Sequence, residues 1–227
     1  KAPASHSTTA KGPTVPLPAI SKVTIACSDD SVAEPEGYAL KVAADSVTIS
    51  ASTSQGAAYG LATLAQLLRH DVDVGSGVLD FVPLHITDAP RFGWRGHMLD
   101  TSRHFVPVEE ILTLLDGLYA AKLNVFHWHI VDSPSFPMDS KAFPELAMQG
   151  SWTGTNATIY SIADQERVAQ RAKERFIELV IEIDTPAHTL AIAKAHPEMM
   201  SDCWEWMATS HFKVWNELCA TVDQLLQ

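Results

Sequence analysis

Trp94-Arg-Gly-His-Met-Leu-Asp-Thr-Ser-Arg-His104 and Asn124-Val-Phe-His-Trp-His-Ile-Val-Asp132 are the two stretches that decide the fold. Each is a short apolar run ending in charged and imidazole side chains. A buried parallel strand delivers polar groups to the mouth of a barrel in this way. The pattern points to an active-site face suited to sugar or metal chemistry.

Outward from these stretches the chain alternates strand and helix. Val108 to Ala121 has the apolar spacing of an amphipathic helix, Asn124 to Val131 reads as a strand, Ser161 to Arg175 as a helix and Glu178 to Ile183 as a strand. Leu190 to Ala195 continues helically, and residues 203 to 227 read as one helix. This rhythm is a βα series with a parallel sheet. Before it the texture differs. Lys22 to Ala26, Tyr38 to Val42 and Ser46 to Ser50 alternate β-branched residues as sheet strands do, and Gln55 to Leu68 has helical spacing, so a helix is expected to pack on that sheet. Thr87-Asp-Ala-Pro90 reads as a turn-like hinge between the two textures, and residues 1–18, rich in Ala, Ser, Thr, Lys and Pro, as a flexible lead-in.

Composition narrows the function classes. The 227 residues are 46% hydrophobic, enough for a real core, and carry a net charge of −11, which argues against nucleic acid or an anionic membrane as partner. No run of 18 or more apolar residues reads as a membrane span. No signal-like apolar segment follows Lys1, which reads as a leader removed or a trimmed start. Cys27, Cys203 and Cys219 are scattered without metal-ligand spacing, and an odd count leaves at least one thiol free. Asn156-Ala-Thr158 is a glycosylation sequon that suits a secreted or lumenal chain.

With Glu182-Ile-Asp-Thr-Pro-Ala-His188, the two opening stretches resemble the family 20 glycoside hydrolases, the β-N-acetylhexosaminidases. That family reads Arg-Gly-x-x-x-Asp-x-Ser-Arg-His, then His-Trp-His-x-x-Asp, then Glu-x-Asp-x-Pro-Gly-His, and this chain has the three in the same order and spacing. The resemblance covers roughly residues 36 to 197, since Gly37 to Leu68 looks like the end of the family's small domain. It implies an α/β architecture: a small α+β domain over residues 19–89, followed by a (β/α)8 TIM-type barrel that residues 90–227 only partly supply. A complete barrel takes about 250 residues, so about three or four βα units fit. An incomplete barrel leaves strand edges open, which favours self-association or a partner chain in a homo- or hetero-oligomer.

The resemblance further implies removal of terminal non-reducing N-acetylglucosamine or N-acetylgalactosamine from glycans, without a cofactor. The substrate's own acetamido oxygen attacks the anomeric carbon, one Asp orients the acetamide and one Glu protonates the leaving oxygen. Arg95 would hydrogen-bond the far-side hydroxyls of the sugar. Asp132 and His188 match positions that tune the acid Glu, and His129, Glu182 and Asp184 are secondary candidates. A lysosomal or extracellular location also follows from the family.

The acid and orienting residues belong to an adjacent Asp-Glu pair, and no such dipeptide occurs in these 227 residues. After Met200 the chain runs into Ser201-Asp-Cys-Trp204, which looks like the segment that follows the pair in the family. The expectation is a chain impaired or inactive in turnover, since general acid catalysis supplies roughly 10²- to 10⁴-fold. Three further departures stand out. Ala187 replaces a Gly, which would strain the turn if positive φ is needed. Ser133 stands where a second Asp is common, and Phe176 where Gly usually ends a helix.

Other readings stand beside these. Arg95, Asp100 and Arg103 also suit an ion-pair network at a barrel rim, and His127 and His129 suit core imidazoles, with Trp128 packed between barrel and helices. Cys203 and Trp204 read either as near the substrate or as part of a helix covering strand edges, Met199 and Met200 as core, and Glu109 and Glu110 as dipole-compensating charges. His127, His129, Asp132 and His188 form a rival divalent-metal set for a barrel hydrolase. A non-catalytic sugar-binding or partner-binding pseudoenzyme or fragment is the remaining alternative.

Overall fold

The structure, a computed structural model, describes residues 20–29, 31–71, 76–78 and 82–199. The helix expected over 203–227, Cys203, Cys219, Trp204, Met200 and the lead-in lie outside the described residues. The chain forms two compact units, Lys1–Pro90 and Arg91–Gln227.

In the first unit, β1 (Lys22–Cys27), β2 (Tyr38–Val42), β3 (Ser46–Ala51), α1 (Ser54–Leu67), β4 (Arg69–Asp71), β5 (Ser76–Val78) and β6 (Leu84–Asp88) follow in order. The main sheet runs β1-β3-β2-β6, parallel between β1 and β3 and antiparallel elsewhere, while β4 and β5 form a hairpin. Period-2 alternation turns Tyr38, Leu40, Val42, Val47 and Ile49 to one buried face, and α1 packs there through Ala57, Tyr59, Ala62 and Leu64. Close packing dictates a glycine in α1, since a Cβ at Gly60 would stand 2.7 Å from Ile49 Cγ2. Thr53 caps the helix by accepting a bond from the Gly56 N–H at 3.1 Å. The expected hinge at Thr87 and Asp88 is instead strand: the two residues continue β6 and pair with Ala39 and Tyr38. Asp and Pro suggest a turn locally, but the neighbouring strand supplies a ladder that sequence proximity does not show.

The second unit holds β7 (Gly96–Asp100), α2 (Val108–Ala120), β8 (Val125–Val131), α3 (Pro144–Gly150), α4 (Ile162–Glu174), β9 (Glu178–Ile183) and α5 (Leu190–Ala195). Its sheet is parallel, in the order β7-β8-β9, and among the described residues β7 and β9 are its edges. This is an incomplete (β/α) barrel. Phe126, Trp128 and Ile130 of β8 are buried in one core with Ile111 and Leu115 of α2 and Val168 and Ala172 of α4, so the even-numbered side chains of β8 face the helices. The Trp128 indole N–H donates to Thr101 Oγ1 at 2.8 Å, and its ring meets Tyr160 edge-on at 5.1 Å. Met199 is buried in the same core.

Helix ends follow from local chemistry. Ser161 and Asp164 make a capping box on α4, and Glu109 and Glu110 occupy the first turn of α2, where the dipole favours them. Phe176, just past α4, has φ of 56°, so the position where a Gly was expected is left-handed. The strain anticipated at Ala187 falls on its neighbour, His188, whose φ is 60°.

Candidate active site

Parallel register gathers the polar groups. Asp100 of β7 stands opposite His129 of β8, which stands opposite Glu182 of β9, so three strands place these residues in one row at their C-terminal ends. A bulge between His129 and Val131 adds a residue to β8 just before Asp132. The segment after β9 turns at Pro186 and returns His188 to the same end.

Asp132 is the hub. Its side chain is 1% exposed, and its two oxygens accept from four donors. Oδ2 takes Arg103 Nη2 at 2.7 Å and His129 Nε2 at 2.9 Å. Oδ1 takes the Ser133 backbone N–H at 2.6 Å and His188 Nδ1 at 3.2 Å. The carboxylate only accepts, so His188 carries its hydrogen on Nδ1. Ser133, where the family often has Asp, thus serves the hub through its backbone.

His129 is buried between two carboxylates, with Nδ1 2.8 Å from Glu182 Oε2 on its other side. Burial alone would lower its pKa; the bonds to Glu182 and Asp132 outweigh that and hold it above the ordinary histidine value, favouring the imidazolium. Burial would raise Glu182, but His129 and then His127, 2.5 Å away, keep this carboxyl below its usual range. Likewise, burial would raise Asp100, while Arg103 Nη1 at 2.7 Å and the Ser102 and Arg103 backbone N–H groups at 3.0 Å hold it low. The Arg103 side chain is 44% exposed, and its guanidinium spans Asp100 through Nη1 and Asp132 through Nη2.

Asp132, His188, His129 and Glu182 therefore come together, and Asp184 joins them: one ligand atom each of Asp132, Asp184 and His188 lie within 4.8 Å of one another. That trio is the donor set that could approach a cation. It differs from the metal set expected from sequence, because His127 and His129 are turned to Glu182. A cation at the trio would also have to displace a bond that Asp132 already makes.

Arg95 is not brought to the group. It precedes Gly96 and so lies at the N-terminal end of β7, where its Nε donates to the Lys122 carbonyl at 2.7 Å and its Nη1 to the Phe92 carbonyl at 2.6 Å. The rim ion pair is Asp100 with Arg103. Strand polarity was the signal that separates the two arginines: catalytic groups of barrels gather after the strand, as Arg103 does, and not before it. Asn156 is exposed, in a short 3-10 turn over Asn156–Thr158. Among the described residues no helix is long and apolar enough to cross a membrane.

Comparison with known proteins agrees with this geometry. Residues 92–226 match the catalytic domain of glycosyl hydrolase family 20, and residues 3–89 match domain 2 of that family. The chain is 39% identical over 186 residues to β-hexosaminidase subunit alpha of Rattus norvegicus, covering 82% of this chain and 34% of that protein. It is 38% identical over 174 residues to the Homo sapiens β-hexosaminidase subunit beta, covering 77% of this chain and 30% of that one. Among solved structures it resembles a Flavobacterium johnsoniae chitobiase, with TM-score 0.76, 35% identity and coverage of 89% of this chain and 32% of that one. It also resembles a Streptomyces plicatus β-hexosaminidase variant in complex with its product N-acetylglucosamine, with TM-score 0.79, 27% identity and coverage of 89% and 45%. The chain spans about a third of the length of the curated relatives it matches. Family match, relatives and strand-end geometry agree, and the chain belongs to glycosyl hydrolase family 20, the β-N-acetylhexosaminidase family.

Proposed function

We propose that this chain presents the sugar-recognising part of a β-N-acetylhexosaminidase site, specific for a terminal non-reducing N-acetylglucosamine or N-acetylgalactosamine, and that by itself it turns such glycans over weakly or not at all. The observation that carries the reading is the buried Asp132 carboxylate, bonded by Arg103, His129 and His188 where three parallel strands end. Arg103 takes the hydroxyl-binding role: a planar cation held between Asp100 and Asp132 keeps donors directed outward. Asp132 and His188 form the support network, with His129 and Glu182 fixing Asp132 from behind. The product complex of the Streptomyces plicatus relative supports N-acetylglucosamine as ligand.

Weak turnover follows from the chemistry of the carboxylates present. A general acid must be protonated near working pH. Glu182 and Asp100 are held ionised by their cationic neighbours, and the 227 residues contain no adjacent Asp-Glu pair. A lysosomal or extracellular location, with a glycan at Asn156 and a homo- or hetero-oligomeric state, completes the proposal.

The test is hydrolysis of a chromogenic N-acetyl-β-glucosaminide at mildly acidic pH by the purified chain, beside Arg103→Ala and Asp132→Asn. No turnover above the two variants, with N-acetylglucosamine still bound by the unaltered chain, is the expected result. Turnover that both variants abolish would overturn the proposed lack of an acid and direct attention to Asp184 and Glu182.

A further inference from the structure

His127 stands where packing alone calls for an apolar side chain. In the parallel register its row is Met98 of β7, His127 of β8 and Val180 of β9, so both strand neighbours are apolar. Its ring is turned instead to the next row, where Nε2 lies 2.5 Å from Oε2 of Glu182. The same oxygen lies 2.8 Å from Nδ1 of His129. An ionised carboxylate only accepts, so His127 carries a hydrogen on Nε2 and His129 one on Nδ1, and a single oxygen receives both imidazoles.

From that oxygen the contacts run without a break to the strand ends. His129 Nε2 lies 2.9 Å from Asp132 Oδ2, which lies 2.7 Å from Arg103 Nη2. His127 is thus the far end of a line, Arg103, Asp132, His129, Glu182 and His127, in which basic and acidic groups alternate. The line has a weak point at His129. Arg103 Nη1 stands 3.4 Å from His129 Nε2, and a like charge so near disfavours the imidazolium. The two carboxylates that offset this are not held equally. Asp132 is 1% exposed and accepts from four donors, whereas the Glu182 side chain is 35% exposed. Ordering a long flexible side chain costs conformational entropy, and a second donor on its oxygen offsets that cost.

We propose that His127 is a positioning residue of this site: without touching the sugar, it pins Glu182 against His129 and so keeps Asp132 and Arg103 in the arrangement that binds a terminal N-acetylhexosamine. The inference rests on the sugar-site reading of Arg103 and Asp132. It assigns to His127 a role other than core imidazole or metal ligand.

The whole chain is compared with His127→Phe and His127→Ala, which remove the donor with and without loss of bulk, and with His127→Gln, which keeps a donor; circular dichroism confirms the same fold. Two readouts are taken at one fixed pH: heteronuclear NMR of the His129 ring hydrogens, identified by their absence in His129→Gln, and calorimetric titration with N-acetylglucosamine. In the unaltered chain the His129 Nδ1–H is expected as a sharp downfield signal protected from exchange with water. In His127→Phe and His127→Ala that signal is lost to exchange and sugar affinity falls about fivefold, the worth of one net hydrogen bond. His127→Gln restores both. A His129 signal that persists in a folded variant without the donor overturns the pinning of Glu182. A signal lost with affinity unchanged overturns the link from His127 to the sugar. An unaltered chain that binds no N-acetylglucosamine overturns the sugar reading and that link with it, while the His129 signal alone decides the pinning.

Discussion

Nη2 of Arg103 lies 2.7 Å from Oδ2 of Asp132, so a half-exposed cation at the barrel mouth is anchored to a carboxylate that solvent scarcely reaches. The pair joins a partly exposed group to an interior one. Its two members should therefore fail differently when altered.

Arg103→Ala removes a charged donor from the ligand-facing side. Affinity for N-acetylglucosamine is expected to fall by roughly 10- to 100-fold, in line with about 1.5–3 kcal/mol for a charged hydrogen bond. Arg95→Ala, at the opposite end of β7, should leave that affinity within about twofold and lower the melting temperature, because its bonds are to the Lys122 and Phe92 carbonyls. Calorimetric titration of both variants distinguishes them.

Asp132→Ala should destabilise the fold before it affects any ligand. Removing the carboxylate leaves the His129 and Arg103 cations without their shared acceptor, at a cost of about 3–5 kcal/mol for a broken buried pair. Urea unfolding read by fluorescence should show the midpoint move sharply lower, and Asp132→Asn, which keeps the shape, should move it less.

Stability should peak in mildly acidic solution. His129 is raised in the folded chain, so its contribution is complete below the ordinary value of 6.5 and is lost as pH rises through the higher folded value. Glu182 is lowered, so its contribution is complete above the ordinary 4.5 and is lost as pH falls through the lower folded value. Unfolding midpoints should be highest between about pH 4.5 and 6.5. In His129→Gln the decline on the alkaline side should flatten; an unchanged decline would show that another group sets it.

Asn156 is exposed on a polar loop, within reach of a transferase. Expression through a eukaryotic secretory pathway should yield a chain whose mass drops on peptide-N-glycosidase treatment, and Asn156→Gln should abolish the drop.

The three βα units were legible because their periodicities are strong and local: β9 over Glu178–Ile183 and α5 over Leu190–Ala195 coincide with the segments expected from sequence. The helix expected from Ser161 to Arg175 does start at Ser161, which makes a capping box with Asp164. What could not be read locally is pairing. Glu182 was only a secondary candidate, because its meeting with His127 and His129 depends on the register of two strands far apart in sequence. The short hairpin β4–β5 and helix α3 carry little periodic signal in three and seven residues. Arg95 and Arg103 flank the same apolar run, and only the chain's polarity through β7 says which of them stands at the strand's C-terminal end.

The four bonds to Asp132 come from the segment after β7, from β8, from the residue beyond it and from the turn after β9. One carboxylate therefore fastens successive βα repeats at their upper ends, so local opening of any repeat is expected to dissolve the proposed sugar-facing geometry at the same moment. Only the closed population can bind, so apparent affinity becomes a gauge of local unfolding. Across a set of variants, tightness for the sugar and resistance to proteolytic nicking at this face should rise and fall together, even where the substitution lies far from either.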